Sequence, residues 1–209
     1  MKTNKTKSSE KLVHQENAQR FHPYKTFLFF GLLASSVIFL AVSFLYITTA
    51  SNLPDVQNFQ LPKAFTLSTL LMLFSSYTIS LSLKSFNNDS FNGLIKSLIV
   101  TLSLSLLFCV SQFFGWKEMY DGGFFISSNL GVSYLYIISG LHLLHVLGGL
   151  GLLIYATYKC YNKSLDMVDS LLFFSNKMEY IKLELLSIFW HFIDVLWLLL
   201  FLLFLCTTK

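Results

Sequence analysis

Residues 187–201, SIFWHFIDVLWLLLF, decide how the rest of the chain is read. With its flanks the stretch is long and apolar enough to cross a bilayer as a helix, yet it contains His191 and Asp194. Ionised groups are costly in hydrocarbon, so an acid at this depth needs a partner, a proton or water. The stretch therefore sets two questions: how many such spans the chain has, and what faces the acid.

Four similar runs precede it. They cover roughly residues 27–48, 65–83, 97–116 and 132–158, and the last run extends over about 185–206. Each is long enough to span about 30 Å of hydrocarbon at a rise of about 1.5 Å per residue. Of the five, only the last holds a residue, Asp194, that carries a full charge at its reference pKa. None alternates polar and apolar residues as a barrel strand would. The reading is an all-α integral membrane bundle of five transmembrane helices, because backbone groups in lipid must be satisfied within their own segment.

The composition agrees. Of 209 residues 54% are hydrophobic and only 12% charged, which excludes an ordinary soluble domain. Residues 1–26 are polar and basic and read as a mobile cytoplasmic tail, followed by a transmembrane domain over 27–206; the first apolar run is too long for the core of a signal peptide. Twelve of the 15 Lys and Arg residues fall on the side of the tail, and Lys63, Lys117 and Lys209 fall on the other. By the positive-inside rule the N-terminus is cytoplasmic and the C-terminus periplasmic. The net charge of +4 then reflects topology and anionic lipid head groups, with no nucleic-acid partner implied. Cys109, Cys160 and Cys206 show no metal-binding or disulfide spacing.

Polar residues inside the spans are the informative ones. In the fourth span, SGLHLLHVLGGLG, His142 and His145 lie roughly 60° apart around a helix, with Gly149 between them on the same face. In the fifth, Glu184, His191 and Asp194 share one side, beside a stripe of Trp190 and Trp197. Three readings compete for this cluster: interhelical hydrogen bonds that fix packing, a metal or haem site, and a site that handles protons or lipid head groups. Depth counts against a shared ion, since His191 lies about 10 Å and His145 about 20 Å from the cytoplasmic ends of their runs, while Asp194 and His145 come closest to a common depth. Gln112 is expected to make an interhelical hydrogen bond. Gly140, Gly148 and Gly151 are expected at tight packing contacts. The Ser and Thr residues of the second span can return hydrogen bonds to their own helix, so they need not line a pore.

The combination resembles a known family, subunit III of the haem-copper respiratory oxidases, which comprise the cytochrome c oxidases and their quinol-oxidase relatives. FWHFIDVLW is similar to the family's YWHFVDVVW, matching at Trp190, His191, Phe192, Asp194, Val195 and Trp197. SGLHLLHV is similar to TGLHGLHV, which carries over Gly140, His142, His145 and Val146. Glu184 sits where the family has a glutamate, and VSQFFGW resembles a Q-x-x-x-W ending that picks out Gln112 and Trp116. The likeness covers about residues 25–206. The chain resembles the five-helix form that begins at the third helix of the larger seven-helix form, whose two-helix arm would be missing or supplied by another subunit. In one place it departs: Ser36 stands where the family often has a glutamate.

The resemblance implies a non-catalytic subunit of a bacterial inner-membrane oxidase. In the family the haems and coppers belong to subunits I and II, and no cofactor is expected in this chain. Subunit III packs against subunit I, holds phospholipid and supports proton uptake and stability during turnover; subunit II, small subunits or a respiratory supercomplex are further partners. His142, His145, Glu184, His191 and Asp194 would serve packing, lipid or proton handling, supported by Gln112, Trp116, Gly140, Trp190 and Trp197. From the residues alone, an independent haem or metal redox protein using His142, His145 and His191 is the alternative. A small transporter is weaker, since no span is broken in two related halves.

Overall fold

The computed structural model describes residues 23–50, 61–127 and 130–207. Among them are six helices and no strand: α1 Pro23–Ala50, α2 Lys63–Asn87, α3 Phe91–Asp121, α4 Leu130–Lys163, α5 Met167–Ser175 and α6 Lys177–Thr207. All but α5 are long and apolar enough to cross a membrane. The fold is the expected five-span bundle. The expected basic tail lies outside the described residues as far as residue 22.

The helices outrun the apolar runs at their polar ends. α4 continues to Lys163 and α6 begins at Lys177, so charged side chains stand on helix beyond the hydrocarbon. There Glu179 pairs with Lys159 at 2.6 Å and with Lys182 at 3.2 Å, while Lys163 pairs with Asp169 of α5 at 2.8 Å. The short α5 interrupts what the sequence reads as a loop. Its Phe173 and Phe174 pack against Phe86 and Phe91, at the turn between α2 and α3.

That turn is tight, and its chemistry is local. Asp89 takes a left-handed backbone (φ 51°), a conformation that Asp tolerates better than most residues. Ser90 then caps α3 by accepting from the Gly93 amide at 3.3 Å.

The chain divides into two compact units, residues 1–37 and 38–209. In the first, the described residues are the opening part of α1, where the Ser36 hydroxyl donates to Leu32 O at 2.8 Å. A hydroxyl satisfied by its own helix thus stands at the position noted above as departing from the resembled pattern. In the second unit α2 packs on α3 and α6, α3 on α4, and α4 on α6, which closes a ring of four helices. The latter part of α1 adds Phe39 against His145 of α4, and Tyr46 against Phe204 and Thr207 of α6.

Glycine sets two of the close approaches. A Cβ at Gly115 would lie 2.5 Å from Phe65 Cε1, and one at Gly149 would lie 2.9 Å from both Phe189 Cε1 and Trp190 Cζ3. The expected tight packing at Gly148 and Gly151 is not found: a Cβ at either meets nothing within 4 Å, and both face outward. Gly140 makes only an ordinary contact, 3.9 Å from Trp116. The side of α4 that closes on α6 is that of Gly149, while Gly148 and Gly151 lie on other faces.

Candidate functional site

The three tryptophans of the chain follow one pattern. Trp190 Nε1 donates to Ser75 Oγ at 3.1 Å, and Ser75 donates to Met72 O at 2.9 Å. Trp197 Nε1 donates to Thr69 Oγ1 at 3.1 Å, and Thr69 donates to Phe65 O at 2.8 Å. Trp116 Nε1 donates to Ser139 Oγ at 3.0 Å, and Ser139 donates to Leu135 O at 2.8 Å. Each hydroxyl gives its hydrogen to its own helix and offers a lone pair to an indole on the next. This joins α6 to α2 twice and α3 to α4 once. Lipid gives little hydrophobic driving force between helices, so such bonds and close packing hold the bundle together.

Trp197 lies at the centre of the ring. It packs on Phe65 of α2 (5.8 Å), Phe108 of α3 (5.2 Å) and the His142 ring of α4 (4.9 Å). Phe108 in turn meets His142 edge-on at 5.7 Å. His142 is fully buried, and neither of its ring nitrogens has a hydrogen-bond partner among the described residues.

His191 is placed differently. It is half-buried between α6 and α2, with Nδ1 at 2.7 Å from Ser76 Oγ and Nε2 at 3.1 Å from Ser80 Oγ. The Ser80 hydroxyl lies 3.1 Å from both Ser76 O and His191 Nε2, so the two serines can serve either neutral tautomer of the imidazole. Both nitrogens are engaged. His145 donates from Nδ1 to Leu141 O at 2.9 Å, and its ring meets Phe39 at 5.4 Å.

The register of α4 and α6 follows from two contacts, Trp197 opposite His142 and Trp190 opposite Gly149. It brings Asp194 level with His145. It also leaves His191 only about 4.5 Å from the His145 level, less than the apolar runs led one to expect, because α4 and α6 extend past those runs. The histidines nevertheless turn to different neighbours: His142 to Trp197, His145 to Phe39, His191 to the serines of α2. Among the described residues no group of three or more His, Cys, Asp or Glu side chains is arranged to hold a metal.

Asp194 is 5% exposed and faces Ser75 and Ser76 of α2, whose hydroxyls lie within reach of its carboxyl group although none meets it in ideal hydrogen-bond geometry among the described residues. Both hydroxyls also have other partners, Ser75 in Met72 O and Trp190, and Ser76 in His191. Glu184 is half-buried on the same helix. Gln112 corrects an expectation. It is fully buried, but among the described residues neither its amide nitrogen nor its oxygen finds a partner, so the interhelical bond read from the sequence is not found there.

Thr69, Ser75, Ser76, Ser80 and Ser139 are the residues that sequence reading missed. Their ability to bond their own helix explained them too easily. The available signal was the recurrence of hydroxyls along one side of α2, at 68, 69, 75, 76, 80 and 82, opposite a tryptophan stripe of heptad spacing.

Comparison with known proteins gives the frame for this geometry. The family model described as cytochrome c oxidase subunit III matches residues 25–208. The chain is similar to cytochrome c oxidase subunit 3 of a Synechocystis strain, 24% identical over 82% of this chain and 70% of that protein. It is also similar to cytochrome bo(3) ubiquinol oxidase subunit 3 of Buchnera aphidicola, 25% identical over 81% of this chain and 84% of that protein. Human cytochrome c oxidase subunit 3 is 27% identical over 65% of this chain, which spans only 47% of the human protein. The match runs through all five spans and both histidine motifs, and on it the chain belongs to the cytochrome c oxidase subunit III family.

Proposed function

We propose that this chain is a non-catalytic subunit III of a haem-copper terminal oxidase in a bacterial inner membrane. The observation that carries the reading is the family match over residues 25–208, which takes in every span and every motif residue. The chain packs mainly against the catalytic subunit I, with subunit II and smaller subunits or a respiratory supercomplex beyond. Haem and copper reside in subunits I and II, and this chain contributes bound phospholipid, support for proton uptake and stability during turnover. Its N-terminus faces the cytoplasm, on the side that holds most of its lysines.

In this reading His142, His145, Glu184, His191 and Asp194 fix the bundle and serve lipid or proton handling, while Gln112, Trp116, Gly140, Trp190 and Trp197 frame them. An independent redox protein is not favoured, because His191 has both ring nitrogens on serines and the three histidines face different neighbours.

The test is durability. Oxidase purified with and without this chain should start at the same rate, and the preparation lacking it should lose activity sooner over many turnovers. Loss of haem at the moment the chain is removed would contradict a peripheral role.

A further inference from the structure

Leu165, Leu171 and Leu172 are 69%, 72% and 63% exposed, and they stand outside every membrane-length helix. All other exposed leucines among the described residues lie on one of the five spans, where the bilayer itself accounts for them. Three strongly exposed leucines in a short connection need a cover of their own.

The connection is fixed to the bundle. The Phe173 and Phe174 rings of α5 meet Phe86 at 5.6 and 5.2 Å and Phe91 at 5.3 and 4.4 Å. A second tie is the Lys163–Asp169 ion pair of 2.8 Å, which holds the start of α5 to the end of α4. At about 100° per residue, Leu171 and Leu172 then fall on the side of α5 turned away from the phenylalanines. The outward direction of the leucines is therefore set by packing.

Depth decides what covers them. Phe86 lies three residues past the second apolar run and Phe91 six residues before the third, about 4.5 Å and 9 Å beyond the hydrocarbon. The head-group zone of a bilayer is about 5–8 Å deep on each side, so α5 rests on the bundle at about that level. Two further markers agree. Tyr155, Tyr158 and Tyr161 are exposed towards the end of α4, as in an interfacial aromatic belt, and Lys84 and Lys96 are exposed on either side of the α2–α3 turn. A short helix at this depth, with leucines outward and Lys163 and Lys177 flanking it, has the make-up of a helix that lies in the membrane interface.

We propose that α5 is an interfacial anchor whose leucine face beds into the cytoplasmic leaflet, with phospholipid as its partner. The side rests on the topology proposed above, while the depth rests on the packing of α5 alone. Lipid is favoured over a protein partner because lysines flank the leucine face and the tyrosines of α4 lead up to it, a pattern that suits head groups and acyl chains side by side. Such an anchor would fix the depth of α4 and α6, whose ends it joins.

A bimane fluorophore on Leu171→Cys or Leu172→Cys tests this in the full chain, in a Cys206→Ser background that removes the exposed native thiol. Both positions are exposed, so melting in detergent should match that of the parent. In nanodiscs of phosphatidylethanolamine and phosphatidylglycerol, doxyl groups near the head-group end of the acyl chain should quench the label several-fold more than doxyl groups near the chain terminus. Aqueous iodide should quench it several-fold less than it quenches free bimane. Iodide quenching as strong as for the free label would overturn the proposal. The measurement is then repeated on the native complex holding the labelled chain. Shielding from both iodide and doxyl lipid there would show that protein covers the face, and would also overturn it. Recovery of the chain with no oxidase partner would contradict the proposed function and leave the reading on the chain alone intact, so the two failures are distinguishable.

Discussion

Trp197 stacks on His142, with ring centroids 4.9 Å apart and planes inclined by 34°, while its indole N–H is given to Thr69 on the opposite side of the ring. One side chain thus ties α6 to both α2 and α4 at the level where polar residues are most concentrated. Most of the expected behaviour of variants follows from this junction and from the serine grip on His191.

Thr69→Val removes the acceptor and leaves a fully buried indole N–H without a partner. The expected loss is about 1–2 kcal/mol of bundle stability, between the cost of a stranded donor and the smaller values measured for interhelical bonds in membranes. Thr69→Ser, which keeps the hydroxyl, should cost much less. Thermal unfolding of the two variants in one detergent checks the difference.

Ser80→Ala should weaken the α2–α6 contact by about 0.6 kcal/mol, the average for a hydrogen bond between membrane helices. In a background of His191→Phe the same change should cost nothing further, since the imidazole that uses Ser80 is gone. A double-mutant cycle on melting measures that coupling directly.

Gly149→Val should be among the most damaging single changes in α4. Its side chain would enter the space of Phe189 and Trp190, and overpacking of this kind costs typically about 1–3 kcal/mol. Gly148→Ala, one residue away on the outward face, should leave the melting of the isolated chain unchanged. Yield and melting temperature of the pair separate the two faces of the helix.

Asp194→Asn should weaken packing or shorten the working life of the oxidase without abolishing electron transfer. The check compares the initial rate of the purified complex with its rate after many cycles. An unchanged first rate with faster decay is expected, while an initial rate near zero would place Asp194 in the reaction itself.

The five spans were legible because apolar run length and backbone satisfaction leave lipid-spanning helices as the one consistent reading. The motif histidines and Asp194 were legible for a related reason: polar groups stand out against leucine and phenylalanine. Three features were not. α5 is too short, and its surroundings too mixed in charge, for a periodic signal to emerge. The hydroxyls that receive Trp116, Trp190 and Trp197 looked complete on their own helices, and only the packing of neighbours shows their second bond. The third is which glycines sit at interfaces. Gly148, Gly149 and Gly151 fall within four positions, and the rotation of α4 that selects Gly149 is set by Trp190, far away in sequence.

The central claim is that the chain works as a subunit of an oxidase, and mass spectrometry of what co-purifies with it tests that most directly. Affinity-tagged chain, extracted in mild detergent from membranes respiring through a haem-copper oxidase, should bring down the haem- and copper-bearing catalytic subunit in stoichiometric amount. Consistent recovery of the chain alone from those membranes would contradict the account.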